Sequence, residues 1–591
     1  MDTLSIDGEN FFYKFHSGVH EVLKFRDHLN KINVFPVADG DTGTNLALTM
    51  NSIIEHSTIN GSVTDVAQSI ADAAITGARG NSGIIFAQFT QGISDALHGK
   101  KNIDLKEYAA AMKTAVQYAY DAINKPVEGT ILTVMKDWAQ FLHEFHHKAR
   151  NFSDLIARSV EEARRSLKQT PEKLDVLKKA GVVDAGAEGF VRFLEGIENY
   201  IVHKKEIILK HFKHTDLEEE GPHEIESVIT HRYCTEAILK GENLDTRKIR
   251  EILAGFGESV IVAGNKERIR MHIHTNTPDI AVQSIAEFGV ISDPKVDDMK
   301  KQNDTQFHRK YKIALLTDSS CDLPDEIMDK YQIHMVPLNI VYKENQFLDK
   351  LTMKHGEFYK ILQEDQENYP TSSQPSVKTF ENFYSELTSF YDHVIAVLLS
   401  GNLSGTFNTG QIAAKKFGDK ITVLNSKTLA TSLGLIVLQI AREIEKGTGV
   451  EKIIEKASFW IRKSDTLVGV RTLKYLVRSG RVSPLKGFIA KILNLKPIVC
   501  IDEEGSSVLL DKSLGFDGSI KKIVKKIEKK YPDPSNVEYV IAHVRAEYDA
   551  IDFAEKLKKV LKKDPLHIMD ASPIVGAHAG IGSVCVSIQP K

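Results

Sequence analysis

The chain has 591 residues, of which 42% are hydrophobic and 26% are charged, a composition typical of soluble globular domains and not of disordered or membrane-embedded chains. At about 150 residues per domain as a loose prior, this length predicts three or four units. The 76 basic and 79 acidic residues give a formal net charge of −3, without the basic excess that nucleic-acid binding requires.

The cysteines and the N-terminal sequence bear on the cellular compartment. Four widely separated cysteines argue against a disulfide framework and favour a reducing compartment: Cys234, Cys321, Cys500 and Cys585. The N-terminus is acidic and has no basic cluster followed by an apolar run, so we do not expect it to act as a secretory signal. The most apolar stretch, residues 433–441, is much shorter than the ~20 residues of a spanning helix. We expect a cytoplasmic protein that is not integral to a membrane, with contact at a membrane surface left open.

The first 205 residues predict an all-α domain. Apolar residues recur at spacings of three and four between Phe11 and Leu29, which describes one stripe of an amphipathic helix. Pro36 prevents this helix from continuing. Helical patterns follow at residues 65–75, 106–123 and 153–167.

A second module is predicted over residues 206–308. Its first part, residues 211–223, has the mixed charge and Gly-Pro content of a linker. Residues 258–263 and 267–274 predict two strands of a half-buried hairpin, with a turn at Gly264 and Asn265. Polar and apolar residues alternate along the second strand, which places His272 and His274 on one face. The module is therefore predicted to be α+β.

Residues 309–591 follow a third pattern, in which short apolar runs alternate with helical segments. The runs are residues 313–316, 394–399, 421–424 and 539–542, and a helical segment covers residues 519–530. Continuous apolar strands between helices indicate a sheet that is covered on both faces. We predict an α/β domain that is long enough for two lobes.

A loop rich in oxygen ligands follows the first helix, with the sequence Asn33-Val-Phe-Pro-Val-Ala-Asp39-Gly-Asp41-Thr-Gly-Thr-Asn45. Asp39 and Asp41 flank a glycine and can both contact one hard cation, for which Mg²⁺ is the usual choice when phosphates complete the coordination. A solvated Asp-Gly turn is the alternative for such a dipeptide alone. Asn33, Asn45 and two Gly-rich loops downstream favour the metal site.

Those loops are Gly77-Ala-Arg-Gly80-Asn81-Ser82-Gly83 and Pro126-Val-Glu-Gly129-Thr130. Glycines let backbone N–H groups approach an anion, the Ser82 hydroxyl adds a donor, and a helix that begins near Ile84 would present its positive end. The second loop precedes an apolar helical run and can flank a nucleobase. Neither loop matches the phosphate-binding motif of P-loop proteins or of protein kinases.

These blocks, together with Val183-Asp184-Ala-Gly-Ala-Glu-Gly189, resemble the nucleotide-binding domain of dihydroxyacetone kinases. They are most similar to the ATP subunit of bacterial fatty acid kinases, over residues 8–200 and in the same order. The resemblance implies an eight-helix barrel that binds ATP and two Mg²⁺ ions, with metal ligands at Asn33, Asp39 and Asp41. It implies nucleotide contacts at Asn45, Gly80, Asn81, Ser82, Gly83, Gly129, Thr130 and Asp184. Asn33 stands where dihydroxyacetone kinases have a third Asp, so one metal ligand is neutral.

A second candidate site combines Cys234 with His272 and His274. Residues i and i+2 of a strand share a face, and Cys234 can add a third ligand from a neighbouring strand, a set that suits tetrahedral zinc with one open position. The alternative is an ordinary polar sheet face. The blocks Arg232-Tyr-Cys-Thr-Glu and Met271-His-Ile-His-Thr-Asn276 resemble the middle domain of bacterial fatty acid kinases. That resemblance implies that the trio binds zinc and that the histidines matter for activity.

The third module opens with Leu316-Thr-Asp318-Ser-Ser-Cys-Asp-Leu at a strand end, where ligands bind in open α/β sheets. Further polar clusters contain Ser372, Ser404, Arg481 and His578; each alone is typical of a turn, and no base marks a serine as a nucleophile. Together they resemble the DegV family of fatty-acid-binding proteins over about residues 312–590. This implies a buried acyl chain whose carboxylate contacts these four residues, with Ser372 in place of the more usual Thr.

The combined interpretation is a fusion of kinase, metal-binding and lipid-presenting modules, and the leading hypothesis is ATP-dependent phosphorylation of a fatty acid carboxylate to an acyl phosphate. The carboxylate is already ionised, so no general base is needed. Asp39 and Asp41 through Mg²⁺, the amides near Ser82, and Arg481 would neutralise the developing charge. An acyltransferase that uses the acyl phosphate is the expected partner. If the linker near residues 305–309 is too short for docking, the carrier serves a second chain in a homodimer.

Two alternatives stay open at this stage. One is a kinase for a small hydroxyketone such as dihydroxyacetone, which the third module does not support. The other is a non-catalytic fatty-acid-binding or sensing protein whose ATP module acts only as a switch, against which the intact Asp39 and Asp41 pair argues.

Overall fold

The computed structural model describes residues 4–36, 40–59, 61–202, 229–365, 367–480 and 495–591. It divides into two compact units, Met1–Asn303 and Asp304–Lys591, which are described separately. Three sequence predictions lie outside the described residues: the linker at residues 211–223, the metal ligand Asp39 and the substrate ligand Arg481.

The first unit begins with a helical domain. Its helices are α1 (Gly8–Lys24), α2 (Arg26–Lys31), α3 (Thr42–His56), α4 (Val63–Gly77), α5 (Gly80–Ala96), α6 (Leu105–Asp121), α7 (Ile131–Phe145), α8 (Phe152–Lys168), α9 (Thr170–Lys173), α10 (Asp175–Ala180) and α11 (Ala185–Val202). A short antiparallel pair, β1 (Ser5–Asp7) and β2 (Asn102–Asp104), joins two of its connecting segments.

The long helices of this domain form a closed ring. Helices α1, α3, α4, α5, α6, α7, α8 and α11 each contact the next in that order, and α11 contacts α1 again. At the closing contact the backbones approach so closely that a Cβ on Gly18 would lie 2.5 Å from the Phe193 ring. The ring confirms the predicted all-α, eight-helix barrel.

The predicted stripe helix is broken in the structure. Asp7 accepts a hydrogen bond from the Asn10 amide and caps α1, which buries Phe11, Phe15 and Val19 as the stripe requires. The helix ends at Lys24 and α2 restarts at Arg26. Leu29 therefore lies on a separate short helix, where it is still fully buried.

The same unit continues with an α+β domain, as predicted. Its elements are β3 (Tyr233–Lys240), α12 (Thr246–Leu253), β4 (Gly257–Gly264), β5 (Arg268–Thr275), α13 (Pro278–Gln283) and β6 (Val290–Asp298), followed by α14 (Met299–Phe307), which continues past the last residue of this unit, Asn303. The sheet order is β4-β5-β3-β6 and every pair is antiparallel.

The polar face of β5 is covered, contrary to the expectation of a half-buried hairpin. Arg270, His272 and His274 are 0%, 2% and 9% exposed. Helices α4 and α5 contact this sheet, and Ile261 and Ala263 of β4 join the core of the helical domain. The strand is more buried than predicted because the helical domain packs against it. Alternation of residues along one strand does not encode such packing between domains.

The second unit contains the remaining elements. Its helices are α15 (Asp325–Lys330), α16 (His355–Glu364), α17 (Val377–Phe390), α18 (Thr406–Ala414), α19 (Ala430–Glu445), α20 (Val450–Lys463), α21 (Lys474–Ser479), α22 (Phe516–Lys530), α23 (Glu547–Leu561) and α24 (Pro573–Ala579). Its strands are β7 (Ile313–Asp318), β8 (His334–Val336), β9 (Asn339–Tyr342), β10 (Asn345–Leu348), β11 (Thr371–Ser373), β12 (His393–Leu398), β13 (Ile421–Asn425), β14 (Asp465–Gly469), β15 (Lys496–Ile501), β16 (Ser507–Ser513), β17 (Val537–His543), β18 (Ile568–Asp570) and β19 (Val584–Pro590).

Two main sheets give the second unit two lobes. A parallel sheet has the order β13-β12-β7-β8, and a six-stranded sheet has the order β16-β15-β14-β19-β17-β18, with β17–β18 as its parallel pair. A smaller sheet has the order β10-β9-β11. Helix α19 contacts strands of both main sheets, which explains why residues 433–441 are apolar on every face except at Gln439. The predicted two-lobed α/β architecture is confirmed.

Candidate functional site

Three helix N-termini meet in the helical domain, at the predicted nucleotide site. Helices α5, α7 and α11 begin at Gly80, Ile131 and Ala185. A Cβ on Gly186 would lie 2.7 Å from Ser82 Oγ and 3.4 Å from both Asp184 Oδ1 and Ile131 Cβ. Because the first amides of a helix have no partner within the helix, such a meeting point favours an anionic ligand.

Helix α5 begins earlier than the sequence predicted, at Gly80 and not near Ile84. Gly80 has φ +58°, a conformation that favours glycine, and a side chain there would clash with Asn45. Ser82 and Gly83 therefore lie within the first turn. Asn81 Oδ1 is buried and has no hydrogen-bond partner in the described part of the chain, so it is available to a ligand.

The carboxylate-rich loop leads directly into α3. Asp41 occupies the N-cap position and its carbonyl accepts the Asn45 amide at 2.8 Å. Asn33 and Asn45 are buried at 5% and 7% exposure. Asn30 of α2 anchors the start of the helix by accepting the Thr44 amide at 3.0 Å. The loop is thus held beside α5 through the contact of Asn45 with residue 80.

The other predicted nucleotide contacts shape the starts of their helices. Asp184 Oδ1 accepts the Ala187 amide at 2.8 Å, which caps α11, and burial raises the Asp184 pKa to about 6. Gly129, with φ +85°, donates its amide to Thr133 Oγ1 at 2.9 Å. The Thr130 hydroxyl donates to the Val127 carbonyl at 2.7 Å. Both loops are therefore preorganised by their own hydrogen bonds.

Cys234, His272 and His274 form a cluster across the β3–β5 pair. Cys234 lies opposite His274 in the register, and one ligand atom from each of the three side chains lies within 4.8 Å of the others. Cys234 Sγ is 3.7 Å from His272 Nδ1. His272 Nε2 is buried without a hydrogen-bond partner in the described residues. One thiol and two imidazoles with an orphaned buried nitrogen fit a zinc ion.

Glu236, which the sequence analysis did not select, lies within this cluster. It is 1% exposed, and its Oε1 is 3.3 Å from His272 Nδ1. Arg270 Nη2 donates to Oε2 at 3.1 Å. The available signal was its position two residues after Cys234 on β3, which puts both side chains on one face.

The charges around the cluster act on its titrating groups. Burial raises the Cys234 pKa well above its usual value, and the carboxylates of Glu236, Asp297 and Asp41 raise it further. Burial lowers the His274 pKa to about 3.

A cavity of about 520 Å³ lies in the second unit. Ser372, Ser404 and His578, three of the four predicted substrate contacts, line it together with Ser320 of the opening motif. Most of its wall is apolar, with contributions from Leu338, Leu399, Leu403, Leu429, Val468, Val470, Leu476, Val499, Ile501, Val544, Ile574 and Val575. This volume and lining suit a small apolar ligand with one polar end.

His543, at the end of β17, also lines the cavity, although it was not among the predicted site residues. Its Nδ1 is 3.1 Å from Asp570 Oδ1. The signal in the sequence was weak, because a single histidine after an apolar strand carries no spacing pattern.

Within the described residues, no helix is both long enough and apolar enough to cross a membrane.

Comparison with known families assigns a relationship to each part of the chain. Residues 36–199 match the DAK2 domain, residues 230–306 match the FakA-like middle domain of fatty acid kinases, and residues 312–591 match the DegV family. The chain therefore carries a kinase-type helical domain, a fatty-acid-kinase-like middle domain and a DegV-family domain in this order. This confirms the predicted fusion.

Curated relatives include uncharacterised proteins from two staphylococci. One from Staphylococcus saprophyticus is 34% identical over 313 residues, covering 50% of this chain and 56% of the relative. One from Staphylococcus epidermidis is 32% identical over 310 residues with the same coverage. The chain thus spans about half the length of the curated relatives it matches.

Similar solved structures are DegV-family proteins. A fatty-acid-binding protein from Thermus thermophilus is 24% identical with a TM-score of 0.45, and the match covers 47% of this chain and all of the other. DegV from Bacillus subtilis, described as a fatty acid binding protein, is 27% identical with a TM-score of 0.44, and the match covers 48% of this chain and all of the other.

Proposed function

We propose that this protein is a fatty acid kinase that transfers the γ-phosphoryl group of ATP to the carboxylate of a fatty acid bound in the second unit, in the cytoplasm. The observation that carries the proposal is the pairing of two sites in one chain. Three helix N-termini meet beside Ser82 and Asp184 in a kinase-type domain, and an apolar cavity in the DegV-family domain contains Ser372, Ser404 and His578.

The nucleotide phosphates would bind where α5, α7 and α11 begin. Other amides in the first turns of these helices and the Ser82 hydroxyl donate hydrogen bonds to phosphate oxygens, while the Gly80 amide is bonded to Glu236, and the helix dipoles favour the negative charge. Asn81 Oδ1 and the Gly129–Thr130 turn orient the remainder of the nucleotide. No side chain acts as a base, because the acceptor carboxylate is ionised at neutral pH.

The residues that would hold Mg²⁺ are Asn33, Asp39 and Asp41. Asn33 is buried beside the loop, and Asp41 at the start of α3 contributes its charge to the neighbouring cluster. When bound, Mg²⁺ supplies charge neutralisation between the phosphates and the incoming carboxylate. The neutral Asn33 leaves a smaller negative charge in this ligand set than three carboxylates would.

The lipid carboxylate would be held at the polar end of the cavity. Ser372 and Ser404 supply hydroxyl donors, His578 an imidazole, and Arg481 a guanidinium. A carboxylate in an apolar cavity needs charge-assisted partners, because without them it would take up a proton and lose its reactivity. The apolar wall binds the acyl chain through burial of its surface.

We also propose a zinc ion at Cys234, His272 and His274, and an acyltransferase as the consumer of the acyl phosphate.

Transfer of the phosphoryl group takes place within one chain or between the two chains of a homodimer. Mixing an Asp41→Ala variant with a His578→Ala variant separates these cases, because only transfer between chains restores activity in the mixture.

The acceptor specificity tests this proposal against the hydroxyketone alternative. Purified protein with ATP and Mg²⁺ is given either a long-chain fatty acid or dihydroxyacetone, and ADP release is measured. We expect release with the fatty acid and none above background with dihydroxyacetone. The reverse result would assign the protein to the hydroxyketone kinases.

A non-catalytic lipid-binding function is the second candidate, and the cavity is the observation that favours it. A protein that co-purifies with fatty acid and binds ATP, but releases no ADP with any fatty acid offered, would have this function.

A further inference from the structure

The amide of Gly80 at the start of α5 is bonded to the middle domain. Gly80 N donates to Glu236 Oε1 at 2.6 Å, and the same oxygen is 3.3 Å from His272 Nδ1. One buried carboxylate oxygen therefore connects the first turn of α5, where we place a nucleotide phosphate, with a residue of the metal cluster.

Arginines hold the other oxygen of Glu236 in place. Glu236 Oε2 is 3.1 Å from Arg270 Nη2 and 3.8 Å from Arg79 Nη1. Arg79 and Arg270 both pair with Asp293 as well, at 2.7 and 3.0 Å. Arg270 is fully buried, so moving Glu236 away would remove one carboxylate partner of a buried cation, which is strongly unfavourable.

The segment that leads from α4 into α5 responds to the position of Glu236. Ala78 and Arg79 join α4 to α5, and Gly80, the first residue of α5, has the positive φ that sets the direction of its amide. Ser82 follows two residues later and lies beside Gly186 and Asp184. A shift of the Gly80 amide therefore moves the start of α5, including the Ser82 hydroxyl.

We propose that Glu236 is a positioning residue that couples metal binding at Cys234, His272 and His274 to nucleotide binding at the start of α5. A metal that fixes the His272 ring also fixes its contact with Glu236, and Glu236 then holds the Gly80 amide in one position. The loop is preorganised for the nucleotide, so each ligand tightens the binding of the other by the same factor. The inference rests on the proposed nucleotide function of this site.

The test is a linkage measurement on the full chain. Metal-stripped protein is given Mg²⁺, and the affinity for ADP is measured by calorimetry with and without one equivalent of zinc. Zinc affinity is measured by competition with a chromogenic chelator, with and without ADP. We expect zinc to tighten ADP binding roughly tenfold and ADP to tighten zinc binding equally. In His274→Ala, which lacks a ligand of the cluster, zinc should leave the ADP affinity unchanged.

The Glu236→Gln variant keeps the shape of the side chain and removes its charge. We expect this variant to bind both ADP and zinc, with an ADP affinity that zinc changes by a factor near one. Glu251→Gln, an exposed change on α12, should keep the wild-type factor. If Glu236→Gln does not fold, Glu236→Asp replaces it, because a shorter carboxylate also loses the contact with Gly80. The inference would be overturned if zinc left the ADP affinity of the wild type unchanged. It would also be overturned if zinc tightened ADP binding to a folded Glu236 variant as much as it does in the wild type. Absence of ADP binding with and without zinc would instead overturn the proposed function itself.

Discussion

Cys234 Sγ lies 3.7 Å from His272 Nδ1, across two neighbouring strands of a buried sheet. Nδ1 also contacts Glu236 Oε1 at 3.3 Å, so Nε2 of His272, which is buried without a hydrogen-bond partner in the described residues, is the nitrogen that fits a zinc ion. The third side chain, His274, faces Cys234 directly in the strand register. The β3–β5 pairing thus assembles the cluster from residues about 40 positions apart in the chain.

Removal of one ligand should abolish zinc binding. We expect one zinc per chain in protein purified without chelators, and none in Cys234→Ala, because two histidines alone bind zinc weakly. Elemental analysis measures the stoichiometry. Cys500→Ala changes a cysteine outside the cluster and should keep its zinc; equal zinc content in wild type and Cys234→Ala would refute the assignment.

A methyl group on residue 186 should weaken nucleotide binding without unfolding the domain. In Gly186→Ala the new Cβ would lie 2.7 Å from Ser82 Oγ, so the hydroxyl must rotate out of its position. We expect about a tenfold loss of ADP affinity, equivalent to ~1.4 kcal/mol, in an ADP titration. Gly356→Ala, which meets no atom within 4 Å, is the control. An unchanged affinity would show that Ser82 does not contact the nucleotide.

Asp184 should make the stability of the protein depend on pH. Burial raises its pKa from 3.8 to about 6, so the folded state binds more protons than the unfolded state between these values. The carboxyl group's contribution to stability is therefore complete below pH 4 and is lost as pH rises to 6. Over this range the free energy of unfolding of the wild type should fall by roughly 3 kcal/mol relative to that of Asp184→Asn, which keeps the cap acceptor. Denaturant unfolding of both proteins at several pH values measures the difference, and a constant difference would contradict it.

The cavity residues should control lipid affinity. His578→Ala and Ser404→Ala each remove a proposed partner of the lipid carboxylate, and we expect about a tenfold loss of fatty acid affinity, or ~1.4 kcal/mol, for each. A fluorescent fatty acid displaced by oleate measures the affinity. Ser535→Ala, at an exposed position of the 3-10 helix Pro534–Asn536, should bind as wild type does. Unchanged binding in both cavity variants would place the carboxylate elsewhere.

Much of the architecture follows from local sequence patterns. The apolar stripe beginning at Phe11 predicted α1, and the period-two alternation predicted that His272 and His274 share a face. Continuous apolar runs predicted β7, β12, β13 and β17. These patterns act over a few residues, so one sequence is enough to interpret them.

The features that were missed depend on contacts between distant elements. Glu236 gains its role because Gly80, 156 positions earlier, donates to it, and periodicity carries no information on such pairs. The polar face of β5 is buried because the helical domain covers it. His543 of β17 lines the same cavity as Ile574 and His578 of α24, which the order of the elements along the chain did not reveal.

Trapping of an acyl phosphate tests the proposed kinase activity most directly. Purified protein is incubated with ATP, Mg²⁺ and a long-chain fatty acid in the presence of hydroxylamine, and the hydroxamate is identified by mass spectrometry. We expect a hydroxamate of the added fatty acid with wild type, and none with Asp41→Ala or without ATP. The proposed kinase activity would be contradicted if wild-type protein bound both ATP and the fatty acid but gave no hydroxamate.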